Sequence, residues 1–554
     1  MPQHHRFNGR RLRAVTLAAG LAAAVPLAGC SGTAGGGASV SANSAYEITA
    51  HTAAAKGDIG SYTWALYAEP QSLDYAYAFD YPPNTILSNV CESLLRWNAD
   101  LSVSPGLATA YANPTPTTWV YTIRQGVHFH DGTLMTPADV VASLKRHLSP
   151  AVGSYWASVY QNVKSITQTG SDQVTVALTR PDATFNKYMA ASPGTVESAA
   201  TLAKDGKNYG NPTVGVNCTG PFSFASWTAG QNIVLKRFDG YWDQNLRAKA
   251  GQVKFVFLQD PNTRVSALQT GEVDGAFSVP SNAYTQLAQS SSGKLYFGTN
   301  TTVIDEIVGN MRGPLGNVQV RKALLMAIDR KALVKAAELG VGDVSDSLVT
   351  KNLWAGMAPS AVDALYAGLP NYAFDPNKAK SMAAAAGVHG QQVVIATSPI
   401  TSQADIIAAA VAAAAKQIGL TPVIRTISPD SYTTLFSDPA ARKGIDLFLT
   451  SWYVSITDPF DMLGVLQTGN FSNYGAWSDP AFDSAIKAAS SATNQADELN
   501  SLATTEKIAS DQLPWLPLYT VPTSVFLSNR ITGLSPSINY MYYPWAATIG
   551  ASGR

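Results

Sequence analysis

The sequence predicts an α/β protein, and three stretches carry that reading. Residues 392–397 read as a strand, 402–419 as a helix and 420–428 as a second strand, which is one β-α-β unit of an open sheet. Residues 253–279 repeat the logic: a strand, a helix over 262–270, then Gly271-Glu272-Val273-Asp274. In residues 118–146, Trp119, Tyr121 and Ile123 alternate with Val120, Thr122 and Arg124 as in a half-buried strand. Gly126 interrupts, residues 127–130 resume the strand, and Asp131-Gly132 makes a turn. A helix starts at Thr136-Pro137, with Asp139 placed to bond back as in a capping box. The length of 554 residues suggests roughly three to four domain-sized units.

The amino terminus reads as an address. Arg6, Arg10, Arg11 and Arg13 precede an apolar run over 14–27, shorter than the ~20 residues a membrane span needs. Leu27-Ala28-Gly29-Cys30 follows and resembles the bacterial lipobox, in which the cysteine becomes the lipidated first residue. Residues 1–29 are therefore expected to be a lipoprotein signal peptide. Residues 30–45 would be the lipidated Cys30 and a flexible tether of Gly, Ser and Ala, tying the body to the extracytoplasmic face of the cell membrane. Lys+Arg and Asp+Glu balance at 38 each, so losing four leader arginines leaves a slightly acidic body with no basic face for nucleic acid. The apolar run 406–415 is bounded by Asp405 and Lys416 and reads as a buried helix.

Along the body, residues 62–67 read as a strand and 87–97 as an amphipathic helix. Residues 154–163 read as a helix and 165–178 as a hairpin around Gly170. Residues 318–333 read as a helix with Val320, Leu324, Ile328 and Leu333 inward and Arg321, Lys322, Asp329 and Arg330 mostly outward. Residues 446–451 and 513–519 are further buried strands. Tyr75, Tyr77, Phe79 and Tyr81 recur at period two, as core packing or as pocket lining; Tyr540, Tyr542, Tyr543 and Trp545 pose the same choice, leaning to core.

Several of these motifs coincide with one family. Gly126, Phe129, His130, Asp131, Gly132, Thr136, Asp139, Val140 and Ser143 stand in order as in the extracytoplasmic solute-binding proteins of family 5, the peptide, dipeptide and nickel type that serve ABC importers. Thr219-Gly220-Pro221-Phe222 through Tyr241-Trp242, the Gly271–Asp274 turn, residues 318–333 and residues 513–519 also resemble that family, so the likeness spans about 60–545. It implies a two-lobed periplasmic-binding-protein-like fold (type II, cluster C) with an extra domain inserted in the first lobe. By analogy, domain I would be residues 46–83, 212–312 and 520–554, domain II 84–211 and domain III 313–519.

The resemblance also implies a function: capture of di- or oligopeptides outside the membrane and delivery to the permease and ATPase subunits of an importer, by a monomer. A non-peptide solute such as an oligosaccharide is the alternative, and a surface hydrolase or adhesin the alternative from another class. In the family a loop reading Gly-Trp-x-x-Asp uses its aspartate to hold a peptide's free amino group; here Trp452 matches and Ser455 takes the aspartate's place. A hydroxyl supplies no countercharge to a buried ammonium. Either Asp458 or Asp461 serves instead, or the ligand lacks a free amine. The expected ligand-binding residues are Trp452, Tyr453, Ser455, Asp458, Tyr75 and Tyr77.

With Cys30 lipidated, Cys91 and Cys218 remain, and a disulfide between them is expected, two separate buried thiols being the alternative. His128, His130 and Asp131 are metal-ligating types, but the same letters form a turn in the resembled family, and no metal or cofactor is expected. No Gly-x-Ser-x-Gly elbow, Walker loop or His-Glu-x-x-His motif is present, and no enzyme activity is expected.

Overall fold

The computed structural model describes residues 47–553 apart from 400 and 402; the leader, Cys30 and the tether lie outside the described residues. Two mixed sheets organise the body. The first has seven strands in the order Phe222–Thr228, Asn232–Arg237, Ala250–Phe257, Ile59–Leu66, Gly275–Phe277, Thr523–Ser528, Gly293–Gly298. Ile59–Leu66 runs parallel to Ala250–Phe257, with Trp64 opposite Phe255, while Thr523–Ser528 runs antiparallel to both of its neighbours. The second has six strands in the order Asp343–Val344, Trp515–Thr520, Val303–Val308, Leu447–Trp452, Gln392–Thr397, Thr421–Thr426. Gln392–Thr397 and Thr421–Thr426 are parallel, and the helix Ala404–Gln417 connects them, as the alternation in 392–428 predicts.

Two short crossings join the sheets: residues 299–302, leading into Val303–Val308, and residues 521–522, leading out of Trp515–Thr520. Asn300 stiffens the first, its Oδ1 accepting from the Thr302 Oγ1 at 3.0 Å and the Thr301 N–H at 2.9 Å. Thr523 Oγ1 ties the crossings together by donating to the Thr299 carbonyl at 2.9 Å. Gly298 is needed here for space: a Cβ would lie 1.4 Å from the Pro536 carbonyl oxygen.

A four-stranded antiparallel sheet, Ala108–Thr115, Thr118–Ile123, Gln173–Leu178 and Val163–Gln168, stands apart from these two, and the helix Pro137–Arg146 packs on it. The cap is as its sequence predicts: the Asp139 carboxylate accepts from the Thr136 N–H at 2.9 Å and from its hydroxyl at 2.7 Å. The 128–132 motif is a joint. The His130 ring faces the Gly220 carbonyl at 3.0 Å and accepts the Cys218 N–H at 3.4 Å, while Asp131 accepts from Asn217 at 2.8 Å. Burial lowers His130 to about 4, so the ring is neutral at physiological pH and donates Nε2–H to that carbonyl. Beside this joint Cys91 and Cys218 form a disulfide with Cα atoms 4.9 Å apart.

Three expectations differ from the structure. Residues 87–97 are not a helix: Asp80 caps a helix over Tyr81–Leu87, and Glu92–Ser93 and Leu95–Trp97 are short strands. Pro82 and Pro83 pre-set the helical start, and buried Glu92 is held by Tyr241, Trp242, Thr219 and Arg96, which fixes the following chain as extended. Residues 154–163 hold only a short turn of 3₁₀ helix, Ala157–Tyr160. The 318–333 helix is two helices, Val318–Ala327 and Arg330–Glu338, the second capped by Asp329, and both Arg321 and Arg330 point inward. Arg321 donates to the carbonyls of Leu315, Gly316 and Gln512 at 2.6–3.1 Å, and Arg330 to the Tyr372 carbonyl and Asp346, each at 2.7 Å. Carbonyl groups at helix and strand ends thus replace the water these guanidiniums would otherwise need.

Candidate functional site

In open α/β sheets, ligands bind beyond the carboxyl ends of strands. Tyr67 follows Ile59–Leu66, Ser278 follows Gly275–Phe277, and Tyr453 follows Leu447–Trp452. The loop 75–80 and the start of the next helix bring Asp80 and Tyr81 to the same place. The Tyr81 and Tyr453 rings touch at 4.7 Å between centroids, and the Tyr453 hydroxyl donates to the Phe79 carbonyl. From the carboxyl-terminal segment, Tyr540 stacks on Phe277 at 3.8 Å and Tyr542 on Trp97 at 5.4 Å. Burial raises the phenols of Tyr67, Tyr81, Tyr453 and Tyr540 well above their ordinary value, and the Asp80 charge raises each further. These four hydroxyls therefore share one neighbourhood with the Asp80 carboxylate. Tyr542 lies beside Ser455 and Tyr453.

The 452–461 loop closes the other side. Trp452 packs edge-on against Trp515 at 5.2 Å. Ser455 is half-buried, and its N–H donates to Asp461 at 2.5 Å. Asp461 also accepts the Tyr188 hydroxyl at 2.5 Å, and burial lifts its carboxyl to about 6 against both hydrogen bonds. Asp458 is buried: it accepts from the Phe460 N–H at 2.7 Å and pairs with Lys187, which also reaches both oxygens of Glu498 at 2.8 Å. Burial alone would lower the Lys187 ammonium, but Asp458 and Glu498 outweigh it and raise it. Lys187 and Tyr188 thereby pin the helix Phe185–Tyr188 to this loop.

The six residues singled out from sequence separate accordingly. Tyr453 and Ser455 join the tyrosine cluster, Tyr453 against Tyr81 and Ser455 beside Tyr542. Trp452 packs on Trp515, and Asp458 faces Lys187. Tyr75 is buried, its carbonyl accepting from Trp156 at 3.1 Å. Tyr77 turns away: its hydroxyl donates to the Val152 carbonyl at 2.6 Å and its ring meets Tyr155 edge-on at 5.9 Å. Asp80 and Tyr67 were not among the six. The signal for Asp80 was its place before Tyr-Pro-Pro, a helix-start pattern. Among the described residues, no three His, Cys, Asp or Glu side chains are grouped to hold a metal ion, and no helix is long and apolar enough to cross a membrane. An open groove of about 420 Å³ runs between the helix Pro137–Arg146 and the strand Val163–Gln168, lined chiefly by Ala138, Val141, Ala142 and Ile166, none of them in the tyrosine cluster.

Residues 102–474 match the model of the bacterial extracellular solute-binding proteins, family 5. The glutathione-binding protein GsiB of Salmonella paratyphi A is 26% identical over 470 residues, covering 83% of this chain and 89% of that protein. Among solved structures, the peptide-complexed binding protein DppA of Helicobacter pylori superposes with a TM-score of 0.77 at 20% identity, over 90% of this chain and 99% of that one. The binding protein AgaA of A. tumefaciens R10, solved with agropinic acid, gives a TM-score of 0.76 at 23% identity, over 89% and 99%. Those likenesses show the fold: the two sheets belong to the two lobes of a periplasmic-binding-protein architecture.

Proposed function

The chain belongs to the bacterial extracellular solute-binding proteins of family 5, and from that premise we propose that it captures short peptides outside the membrane for an ABC importer. The observation that carries this reading is the cluster of Tyr67, Tyr81 and Tyr453 at the strand ends of both lobes, with two crossings on which the lobes can close. Aromatic faces pack on peptide planes and side chains, and their hydroxyls serve a peptide's N–H and C=O groups. Ligand shifts the open–closed balance by its higher affinity for the closed form. The closed form docks on a permease, and ATP is hydrolysed in other subunits.

In this reading Leu27-Ala28-Gly29-Cys30 is processed so that Cys30 carries the lipid, and 31–45 tether a monomeric body. Because Val303–Val308 and Trp515–Thr520 are strands of the second sheet, the boundaries expected at 312 and 520 move to the crossings: the first lobe comprises residues 46–83, 212–302 and 521–554, the second 303–520, and 84–211 form the insertion. The protein acts by binding and carries out no reaction. A non-peptide solute is the second reading, favoured by Ser455 at the position where the family's loop aspartate is expected.

The test is native mass spectrometry of protein purified from rich medium, with co-purified small molecules released and identified. A ladder of short peptides supports the first reading. A single compound without a peptide bond replaces it with the second.

A further inference from the structure

The 452–461 loop beside the tyrosine cluster has no carboxylate to spare. Asp458 is paired with Lys187, Asp461 is bonded by Tyr188 and the Ser455 N–H, and Ser455 itself is neutral. The opposite wall differs. Asp80 accepts the Tyr81 N–H through Oδ1 at 2.7 Å, and among the described residues no basic side chain forms an ion pair with it. Its surface is accessible, yet burial raises its carboxyl above the ordinary carboxylate range, the Tyr81 N–H opposing. Geometry places it where the two sheets' strand-end segments meet: its neighbour Tyr81 touches the Tyr453 ring at 4.7 Å, and the Tyr453 hydroxyl donates to the Phe79 carbonyl. One cation, Arg264, is felt by Tyr67, but its guanidinium donates to the Leu258 carbonyl at 2.8 Å and forms no ion pair among the described residues.

We propose that Asp80, on the first lobe, is the anchor for the ligand's ammonium group, with the rings and hydroxyls of Tyr67, Tyr81 and Tyr453 closing around it. The chemistry fits on two counts. A carboxylate with a free oxygen supplies the countercharge that Ser455 cannot, and leaving an ammonium unpaired in such a space is costly. Tyrosine faces attract cations through the ring quadrupole, and the Tyr81–Tyr453 contact sets two such faces beside the carboxylate. The countercharge thus comes from the lobe opposite the one whose loop contains Ser455. The assignment rests on the solute-capture reading, and names the chemical class of ligand as amine-bearing.

Titration calorimetry with trialanine and N-acetyl-trialanine, on the wild type and on Asp80→Asn, tests it. Asparagine caps a helix as well as aspartate does, so the variant keeps the local fold, which an unchanged Tm of the ligand-free protein checks. Acetylation should weaken binding to the wild type by ~30-fold or more, Asp80→Asn should weaken trialanine to a similar degree, and acetylation should cost the variant little further. The wild-type acetylation result stands even if the variant misfolds: equal affinity for both peptides overturns the anchor. So does an acetylation penalty as large in Asp80→Asn as in the wild type; in both cases peptide capture survives. If trialanine fails to bind while the diamine cadaverine binds in an Asp80-dependent way, the anchor stands and the peptide reading falls. If neither binds wild type, the anchor is overturned.

Discussion

Glu306 lies on the central strand Val303–Val308 of the second sheet, 1% exposed, and burial pushes its carboxyl to about 8. In the unfolded chain it titrates near the ordinary ~4.3. The folded state therefore holds the proton more tightly, and stability that is complete below pH ~4 is lost as pH rises toward 8. Glu306→Gln should remove that loss: between pH 5 and 8 its urea-measured stability should fall less than that of the wild type, by roughly 2–4 kcal/mol. Parallel curves would mean that Glu306 is ionised in the fold. Lys187 makes the opposite case, a cation serving two buried acids. Lys187→Met leaves Asp458 and Glu498 facing one another and should cost about 3–5 kcal/mol in denaturant unfolding at pH 7. Burial and the neighbouring Asp458 lift Glu498 to about 7 even with Lys187 opposing; without the ammonium the carboxyl rises further, so the variant should recover stability as pH is lowered through and below neutrality and the acids take up protons.

At the scale of elements, the bridge between Cys91 and Cys218 closes a span of 127 residues. Reduction should lower unfolding stability by ~5 kcal/mol on the chain-entropy account, read as a shift in urea midpoint with and without reductant. Gly298→Ala should disrupt the crossing, since its methyl group has no room against the Pro536 carbonyl; a Tm drop well beyond that of a surface substitution is expected. Elements that local pattern determines were legible in the sequence: the capped helix Pro137–Arg146, and the 392–428 unit with its period change from strand to helix. Elements decided by distant partners were not. Glu92 belongs to a strand because Tyr241, Trp242 and Thr219 claim its carboxylate, and Arg321 turns inward because the Gln512 carbonyl, far along the chain, receives it. The candidate site was half legible for the same reason. A loop motif pointed to Tyr453 and Ser455, whereas Asp80 and Tyr67 meet them only through tertiary folding.

For the whole molecule, the short crossings 299–302 and 521–522 are where a change of lobe angle must be absorbed. Small-angle scattering should give a smaller radius of gyration once a bound ligand is saturating, and an unchanged curve would argue against closure. The strand order carries one more consequence. Gly293–Gly298 is attached to the seven-stranded sheet only through Thr523–Ser528, a segment some 225 positions further along the chain. The first lobe therefore cannot finish its sheet until the ribosome has made almost the entire polypeptide. Contacts this remote in sequence form slowly, so the nascent chain stays unlocked through nearly all of synthesis, the condition in which a polypeptide can still be threaded through a translocation channel.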